Sequence, residues 1–503
     1  MRPFPLHDLP KLYRSGAVRA AEQTAMARFG LDEDDLMARA GLAAWRLLLE
    51  RWPQAQRIGI ACGPGNNGGD GYVLAELARA SGRHVFVVRL DDSVKPGAAQ
   101  RAAEAFVQAG GEVSTYRPDG ALPSADVWVD ALFGIGLHRA LDGAVAAFVA
   151  ALNHDAPILA LDVPSGVDAD TGDDHGLSVR ATVTQTFIAG KPGLFTGRGR
   201  VAAGEVVIDP LGLVEHVFGD LEPAALLARP PALAHGFAPR ARDAHKGHFG
   251  TVLCIGGDHG YGGAIALCAE AAHRVGAGLV SAATRAEHVP VLLARRPETM
   301  ARTVDTTDAL WPLLDRCTVI AVGPGLGHEA WGRMLLDAAL AAGRPTVVDA
   351  DALNLLAATP ERLAGHPLAV FTPHPGEAAR LLDRAVSELE ADRVGAARTL
   401  AERTGGAVVW KGAGTVVAAP GATPVLVDAG NPGMATGGMG DVLTGTIAGL
   451  LAQGLAPFEA AVCGALLHAA AGDDAAREGG ERGLLPSDLF PYLRRLANPG
   501  AGA

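Results

Sequence analysis

RIGIACGPGNNGGDG, residues Arg57–Gly71, joins an apolar run of strand length to a glycine-rich segment that leads into a helical pattern. The run 57–62 predicts a buried strand, the glycines a loop, and the following residues a helix beginning near Tyr72. The same alternation continues outward. HVFVVRL (84–90) precedes a helix through AAQRAAEAFVQAG, and ADVWVDALFG (125–134) and PILALDVPSG (157–166) supply two more strands. Strands that alternate with helices imply a mainly parallel, doubly wound α/β sheet. Ahead of it, residues 17–50 predict one or two helices, broken at FGLDEDD, where Asp32 or Asp34 is placed to cap.

Residues 210–245 are rich in Pro and Ala and carry no sustained periodicity. A second α/β block follows, through FGTVLCIGG (249–257), a helix in GAIALCAEAAHRVGAG, LVSAAT, CTVIAVGPG (317–325), RPTVVDADAL, LAVFTPHPGE and AVVWKGAGTVVAAPG, closing on TGGMGD and a helical C-terminus. A chain of 503 residues exceeds one ordinary core. Two doubly wound α/β domains are expected, residues 1–220 and 221–503, with the boundary near Leu221.

The net charge of −12 argues against a nucleic-acid partner, which needs a Lys/Arg surplus, but leaves room for a nucleotide held by backbone N–H groups. Five cysteines without CxxC spacing fit a reduced compartment better than disulfides or zinc. No apolar signal core opens the chain, and no run approaches the roughly 20 apolar residues of a membrane span. A soluble cytoplasmic protein is expected.

Within GPGNNGGDG, glycines allow close backbone approach to a ligand, and Asn66, Asn67 and Asp70 add oxygen ligands; a tight Asn-Gly turn is the plainer alternative. The spacing is neither that of a dinucleotide fingerprint nor that of a phosphate-binding P-loop. VDALFGIGLHRAL sets Asp130 at a strand end, where it either serves a site or caps a helix, and LDVPSGVDADTG sets Asp162 and Ser165 after another strand. All three loops leave the carboxyl ends of parallel strands, where open α/β sheets bind ligands. These three segments resemble the signatures of the NAD(P)H-hydrate epimerase family, and the resemblance covers nearly the whole first block. It implies a Rossmann-like three-layer sandwich that binds hydrated NADH or NADPH through Asn66, Asn67, Gly68, Gly69, Asp70 and the loop Gly134, Ile135, Gly136, Leu137, His138, Arg139 and Ala140. It further implies Asp162 as the acid/base group and a potassium ion on Asn67, Asp130 and Ser165, a hard-oxygen set suited to that cation.

In the second block, Gly262–Ala264 and Gly323–Gly327 (GPGLG) sit at strand-to-helix turns, open either to a flat ligand or to close helix–sheet packing. His374, between two prolines, either caps a helix or makes a positioned contact; Asp349, Asp351 and Asn354 either assist a metal or cap the next helix. Lys411 in WKGAGT suits nucleotide phosphates, the alternative being an exposed hairpin lysine. Gly437, Gly438 and Gly440 expose N–H groups at a helix start, an anion cradle, with Asp441 in the first turn.

Together HKG, GGA, GPGLG, TPHPGE, WKGAGT and TGGMGD resemble the ADP/ATP-dependent NAD(P)H-hydrate dehydratase family, from about His245 to the last helix. That resemblance implies a ribokinase-like fold in which Ala264, Gly325, His374 and Asp441 contact the hydrated cofactor. Lys411, Gly412, Ala413, Gly414, Thr415 and Gly440 would contact ADP or ATP, with Mg2+ on its phosphates and Asp441 as catalytic base. Met439 departs from the small or hydroxyl residue of many relatives, though its backbone N–H still serves. Both blocks in one chain, in this order, resemble a repair enzyme that epimerises the R and S hydrates and dehydrates the S form; from relatives alone a homo-oligomer is expected. Two rivals use the same residues: a small-molecule kinase that keeps its phosphorylated product, and a first domain that binds or scaffolds without catalysis.

Overall fold

The computed structural model describes residues 3–91, 93–154, 156–213 and 217–498. The chain divides into two compact units, Lys11–Ala225 and, together, the first ten residues with Leu226–Ala503.

In the first unit seven parallel strands form one sheet: β1 (Arg57–Cys62), β2 (His84–Arg89), β3 (Glu112–Thr115), β4 (Val127–Ala131), β5 (Ile158–Leu161), β6 (Val183–Phe187) and β7 (Glu205–Asp209), in the order β3-β2-β1-β4-β5-β6-β7. Alternate residues of one strand enter different cores: Val85 and Val87 pack with Tyr72 and Phe106, while Phe86 and Val88 pack with Trp128 and Phe148. That makes three layers, as expected. Three strands are not legible in the sequence: β3 (EVST), β6 (VTQTF) and β7 (EVVID), of which the last two extend the sheet beyond β5. Helix α1 (Ser15–Phe29) precedes α2 (Glu33–Arg51), which Asp32 opens through a reciprocal capping box with Asp35.

Helix α3 begins at Asn66, not near Tyr72, and runs to Ala80. Helix interiors normally disfavour glycine, but here the neighbours leave no room for anything else. A Cβ on Gly68 would stand 2.0 Å from the Gly63 carbonyl oxygen, and one on Gly71 would stand 2.6 Å from the Ala131 Cβ. The NNGGDG segment is thus a helix pressed onto its sheet. Helix α4 (Ala98–Gln108) and helix α5 (Gly143–Leu152) complete the regular elements that matter here.

The second unit holds β8 (Ala225–Ala228), β9 (Thr251–Ile255), β10 (Leu279–Thr284), β11 (Met300–Thr303), β12 (Val319–Val322), β13 (Thr346–Val348), β14 (Ala369–Phe371), β15 (Ala407–Trp410), β16 (Val416–Ala418) and β17 (Val425–Val427). They run in the order β8-β17-β16-β15-β14-β13-β12-β9-β10-β11. Strands β9 to β15 are parallel; β15, β16 and β17 form an antiparallel meander. Strand β8 lies inside the Pro- and Ala-rich segment that shows no periodicity, since ALLA is too short to declare itself. The helices used below are α6 (Gly262–Arg274), α7 (Ala350–Ala357), α8 (Pro375–Leu382), α9 (Met439–Ala452), α10 (Pro457–Gly479) and α11 (Leu489–Leu496). Phe4 and Leu9 are buried in this unit's core, which explains why the first ten residues belong to it.

Candidate active sites

In the first unit the strand order reverses between β1 and β4, so the loops after these strands splay apart and leave a crevice at the carboxyl edge. Gly63 leaves β1 so tightly that a Cβ would lie 1.8 Å from the Leu132 carbonyl oxygen. The turn aims Asn67 inward: it is buried, and neither its Oδ1 nor its Nδ2 has a hydrogen-bond partner. A buried amide left unsatisfied costs about 1–3 kcal/mol, so this one marks a ligand position. At Gly134 a Cβ would come within 3.1 Å of Asp162 Oδ2 and 3.5 Å of Asn67 Cγ. Three loops therefore meet at one point.

Asp162 holds a left-handed backbone, φ +63°, rare for a residue with a side chain. Its Oδ1 accepts from Lys191 Nζ at 2.5 Å and from Thr186 Oγ1 at 3.3 Å. Lys191 is 1% exposed and also donates to Thr186 Oγ1 and to the Phe187 carbonyl. Burial, then the charges of Asp162 and Glu22, push the Asp70 carboxyl well above its usual range. Burial, then Asp162, likewise raises Glu22 on α1.

Asp130 is fully buried; Ser165 Oγ donates to its Oδ1 at 2.7 Å and Ser165 N to its Oδ2 at 2.8 Å. Burial pushes this carboxyl up to about 6 against those hydrogen bonds. Asn66, by contrast, points outward and accepts from Lys95, and His138 is taken up by Asp168 at 2.8 Å. Arg139 and Ala140 are exposed, and Arg19 donates to the Ile135 carbonyl at 3.3 Å.

In the second unit every loop of interest leaves the carboxyl edge of the parallel strands. Asp349 follows β13, the turn after β14 carries His374, and Lys411 follows β15. Asp349 is 1% exposed; Lys411 Nζ donates to its Oδ1 at 2.9 Å and Thr444 Oγ1 to its Oδ2 at 2.7 Å. Burial works to raise Asp349, but Lys411 and its hydroxyl partners hold it below the usual carboxylate range. Burial works the other way on Lys411, which Asp349 and Glu377 hold raised. The lysine is part of a hairpin, as one alternative had it, but its charge points inward. Gly412, at φ +139°, has Arg393 Nη2 2.8 Å from its absent Cβ, and Thr415 Oγ1 donates to the Gly412 carbonyl.

The TGGMGD turn completes the site. Gly438 is left-handed, φ +95°, and packs where a Cβ would meet Leu267 and Pro486; Gly437 faces open space. Helix α9 starts at Met439, and the absent Cβ of Gly440 would stand 3.3 Å from Lys411 Nζ. Asp441 lies in the first turn, its carboxyl raised to about 7 by burial, then by Asp349, with Lys411 opposing.

His374 caps α8: its Nδ1 accepts from Gly376 N and Glu377 N, while Glu377 returns a carboxylate to His374 N at 2.7 Å. The cap and the site coincide, because Glu377 also lies 3.7 Å from Lys411 and burial raises its carboxyl to about 6. Gly325, φ +57°, packs against Tyr261, whose Cβ would stand 2.6 Å from a Cβ there, with the Ala264 Cβ at 3.3 Å, so the two small residues adjoin. Asp351 accepts from Gly327 N at 2.9 Å and pairs with His328; Asn354 accepts from Arg380.

A family model described as NAD(P)H-hydrate dehydratase matches residues 252–495, and one described as YjeF-related protein N-terminus matches 33–193. Across nearly its full length the chain is similar to a bifunctional NAD(P)H-hydrate repair enzyme of Coxiella burnetii, 46% identical over 490 residues, 97% of this chain and 99% of that one. The chain belongs to the bifunctional NAD(P)H-hydrate repair enzyme family. The repair enzyme of Escherichia coli is 45% identical over 487 residues, 96% and 93% of the two chains. For the second unit, a ribokinase-like superfamily protein of Enterococcus faecalis superposes with a TM-score of 0.50 at 33% identity, covering 54% of this chain and 94% of that one. The ribokinase-like fold expected of the second unit is confirmed.

The fold brings to these sites residues that the sequence pattern alone does not single out. Lys191 is the main one; its signal is a lysine between Gly190 and Pro192 just past a strand. Thr444, one helical turn after Asp441, and Glu377, one turn after His374, are legible only once the helix starts are known.

Proposed function

We infer that this chain repairs hydrated NADH and NADPH. The first unit interconverts the R and S hydrates, and the second dehydrates the S hydrate at the expense of ADP or ATP, releasing phosphate. The observation that carries this reading is Asp441, a carboxyl near neutrality in the first turn of a helix, beside the buried Lys411–Asp349 pair.

Hydroxide leaves poorly near neutral pH, whereas a phosphorylated hydroxyl leaves well, aided by the ring nitrogen. Asp441 takes the hydroxyl proton, and the N–H groups of Gly437, Gly438 and Gly440 stabilise charge on the transferred phosphoryl. Lys411, held straight by Asp349 and Glu377, places one positive charge beside Gly440 for the donor phosphates. Ala264 and Gly325, two adjoining small residues, bring backbone close to the nicotinamide, with His374 as a further contact. Among the described residues no group of three His, Cys, Asp or Glu side chains is placed to hold a metal. Mg2+ needs no such cage, since it binds through one or two carboxylates and the phosphates themselves, where it neutralises donor charge. Asp351, whose charge helps raise the Asp441 carboxyl, and Asp441 itself would hold it.

In the first unit Asp162 exchanges the proton at the hydroxylated ring, with Lys191 as the partner that holds its carboxylate in line. Asn67, Gly68 and Gly69, with Asp70 and the Gly134–Ala140 loop, line the nucleotide's place. The unpartnered Asn67 Oδ1 and the buried Asp130 carboxylate fit a potassium ion, with Ser165 completing the set; such an ion would fix the substrate's orientation.

Incubation with hydrated NADH plus ADP or ATP, following recovery of reduced-nicotinamide absorbance and released phosphate, tests the reading. Recovery with stoichiometric phosphate is expected. A stable phosphorylated product without recovery would mean a small-molecule kinase instead.

A further inference from the structure

The second unit has a cavity of about 890 Å3 at the amino edge of its sheet, opposite the edge where the loops of Asp349, His374 and Lys411 emerge. It opens beside Phe249, which precedes β9, and the last turn of α6, with Gln453 after α9 and Arg494 on α11. That volume matches small-molecule sites, which run to roughly 300–1,000 Å3. Its charge contradicts that of the chain. The protein carries −12 overall, yet Arg240, Arg274, Arg296 and Arg494 line this one cavity against Glu270 and Glu298.

The lining cations outnumber the carboxylates, four arginines to two glutamates. Glu270, 1% exposed, is taken up by Arg274, Arg295 and Arg296. Arg240 meets only neutral acceptors, the Gly276 carbonyl at 2.5 Å and Gln453 Oε1 at 3.0 Å, and its guanidinium lies 3.6 Å from the Phe249 ring centroid. Among the described residues neither Arg240 nor Arg494 pairs with a carboxylate, and the Nε of Arg296 is buried with no acceptor. A guanidinium presents its N–H groups as a fork, which phosphate and carboxylate groups fill in pairs. We propose that this cavity is a second ligand site, which binds a small organic polyanion, phosphorylated or polycarboxylate, through Arg240, Arg296 and Arg494. This site is independent of the repair reaction and lies away from its residues.

The test is calorimetric titration of the full chain with inorganic pyrophosphate and, separately, with citrate, at fixed ionic strength. Each is repeated on Arg494→Glu and Arg240→Gln, exposed positions whose replacement leaves the core intact. At least one probe is expected to bind, and Arg494→Glu to weaken it by about tenfold or more, with Arg240→Gln intermediate. Dehydration by both variants should equal that of the wild type. Pyrophosphate alone binding assigns a phosphorylated ligand, and citrate alone a polycarboxylate. If neither probe titrates, or if Arg494→Glu and Arg240→Gln bind both probes as the wild type does, the proposal fails.

Discussion

At pH 7 the Asp441 carboxyl stands near the middle of its titration, because burial and Asp349 raise it to about 7 while Lys411 pulls it down. A general base works only when ionised, so kcat/KM for dehydration is expected to climb as pH rises through about 7 and then level off. A rate flat from pH 5.5 to 8.5 would remove Asp441 from that role. The same shift has a cost in stability. The folded carboxyl binds its proton more tightly than the unfolded one, so its contribution is fully present below pH 3.8 and is lost as pH rises through about 7. Asp441→Asn should therefore lower dehydration by about 10²–10⁴-fold. It should also stabilise the free protein by roughly 1–3 kcal/mol at pH 8 and little at pH 4. Thermal melts at the two pH values separate this from simple damage, which would lower both.

Glycine plays two opposite parts in the elements that build the sites. Gly68 sits inside α3 with the Gly63 carbonyl oxygen 2.0 Å from any Cβ, whereas Gly437, just ahead of α9, has nothing within 4 Å. Gly68→Ala is expected to push α3 off β1 and cost about 2–4 kcal/mol, read as a lower denaturation midpoint. Gly437→Ala should melt as the wild type does and raise the KM for the adenine nucleotide instead, by crowding the phosphate cradle. Equal midpoints for both variants would show that the α3 packing yields. These two helix starts also mark where the sequence is legible. Apolar period and punctuation found β1, β2, β4, β5, β9, β10 and β12 to β15, because each is a short buried run between turn residues, and missed β3, whose EVST is mostly exposed. They misplaced the start of α3, because glycine reads as loop when its reason is a neighbour distant in sequence. They passed over Lys191, 29 residues from Asp162 by number yet 2.5 Å away, because only the fold brings β6 beside β5. Asp162 and Asp441 were visible because each follows a glycine- or proline-marked strand end or helix start.

On the scale of the whole chain, the units do not follow the order of the sequence. The first ten residues supply Phe4, 2% exposed, to the core of the second unit, where Gly236 approaches its ring. Phe4→Ala should therefore lower the second unit's stability by about 3–5 kcal/mol and shorten the thermal half-life of dehydration, leaving that of epimerisation unchanged. The deeper consequence is kinetic. Each unit has its own sheet and its own carboxyl-edge site, and removal of the S hydrate by the second draws the first unit's interconversion from R towards S. A mixture of R and S hydrates should disappear in one continuous phase when Asp162 is intact. With Asp162→Ala, the S hydrate should be consumed at the wild-type rate and the R hydrate should remain, converting only as fast as it epimerises unaided. Resolving the two hydrates chromatographically during the reaction checks this directly. Equal slowing of both would place Asp162 outside the epimerising site, since a residue acting there touches only the interconversion of the two forms.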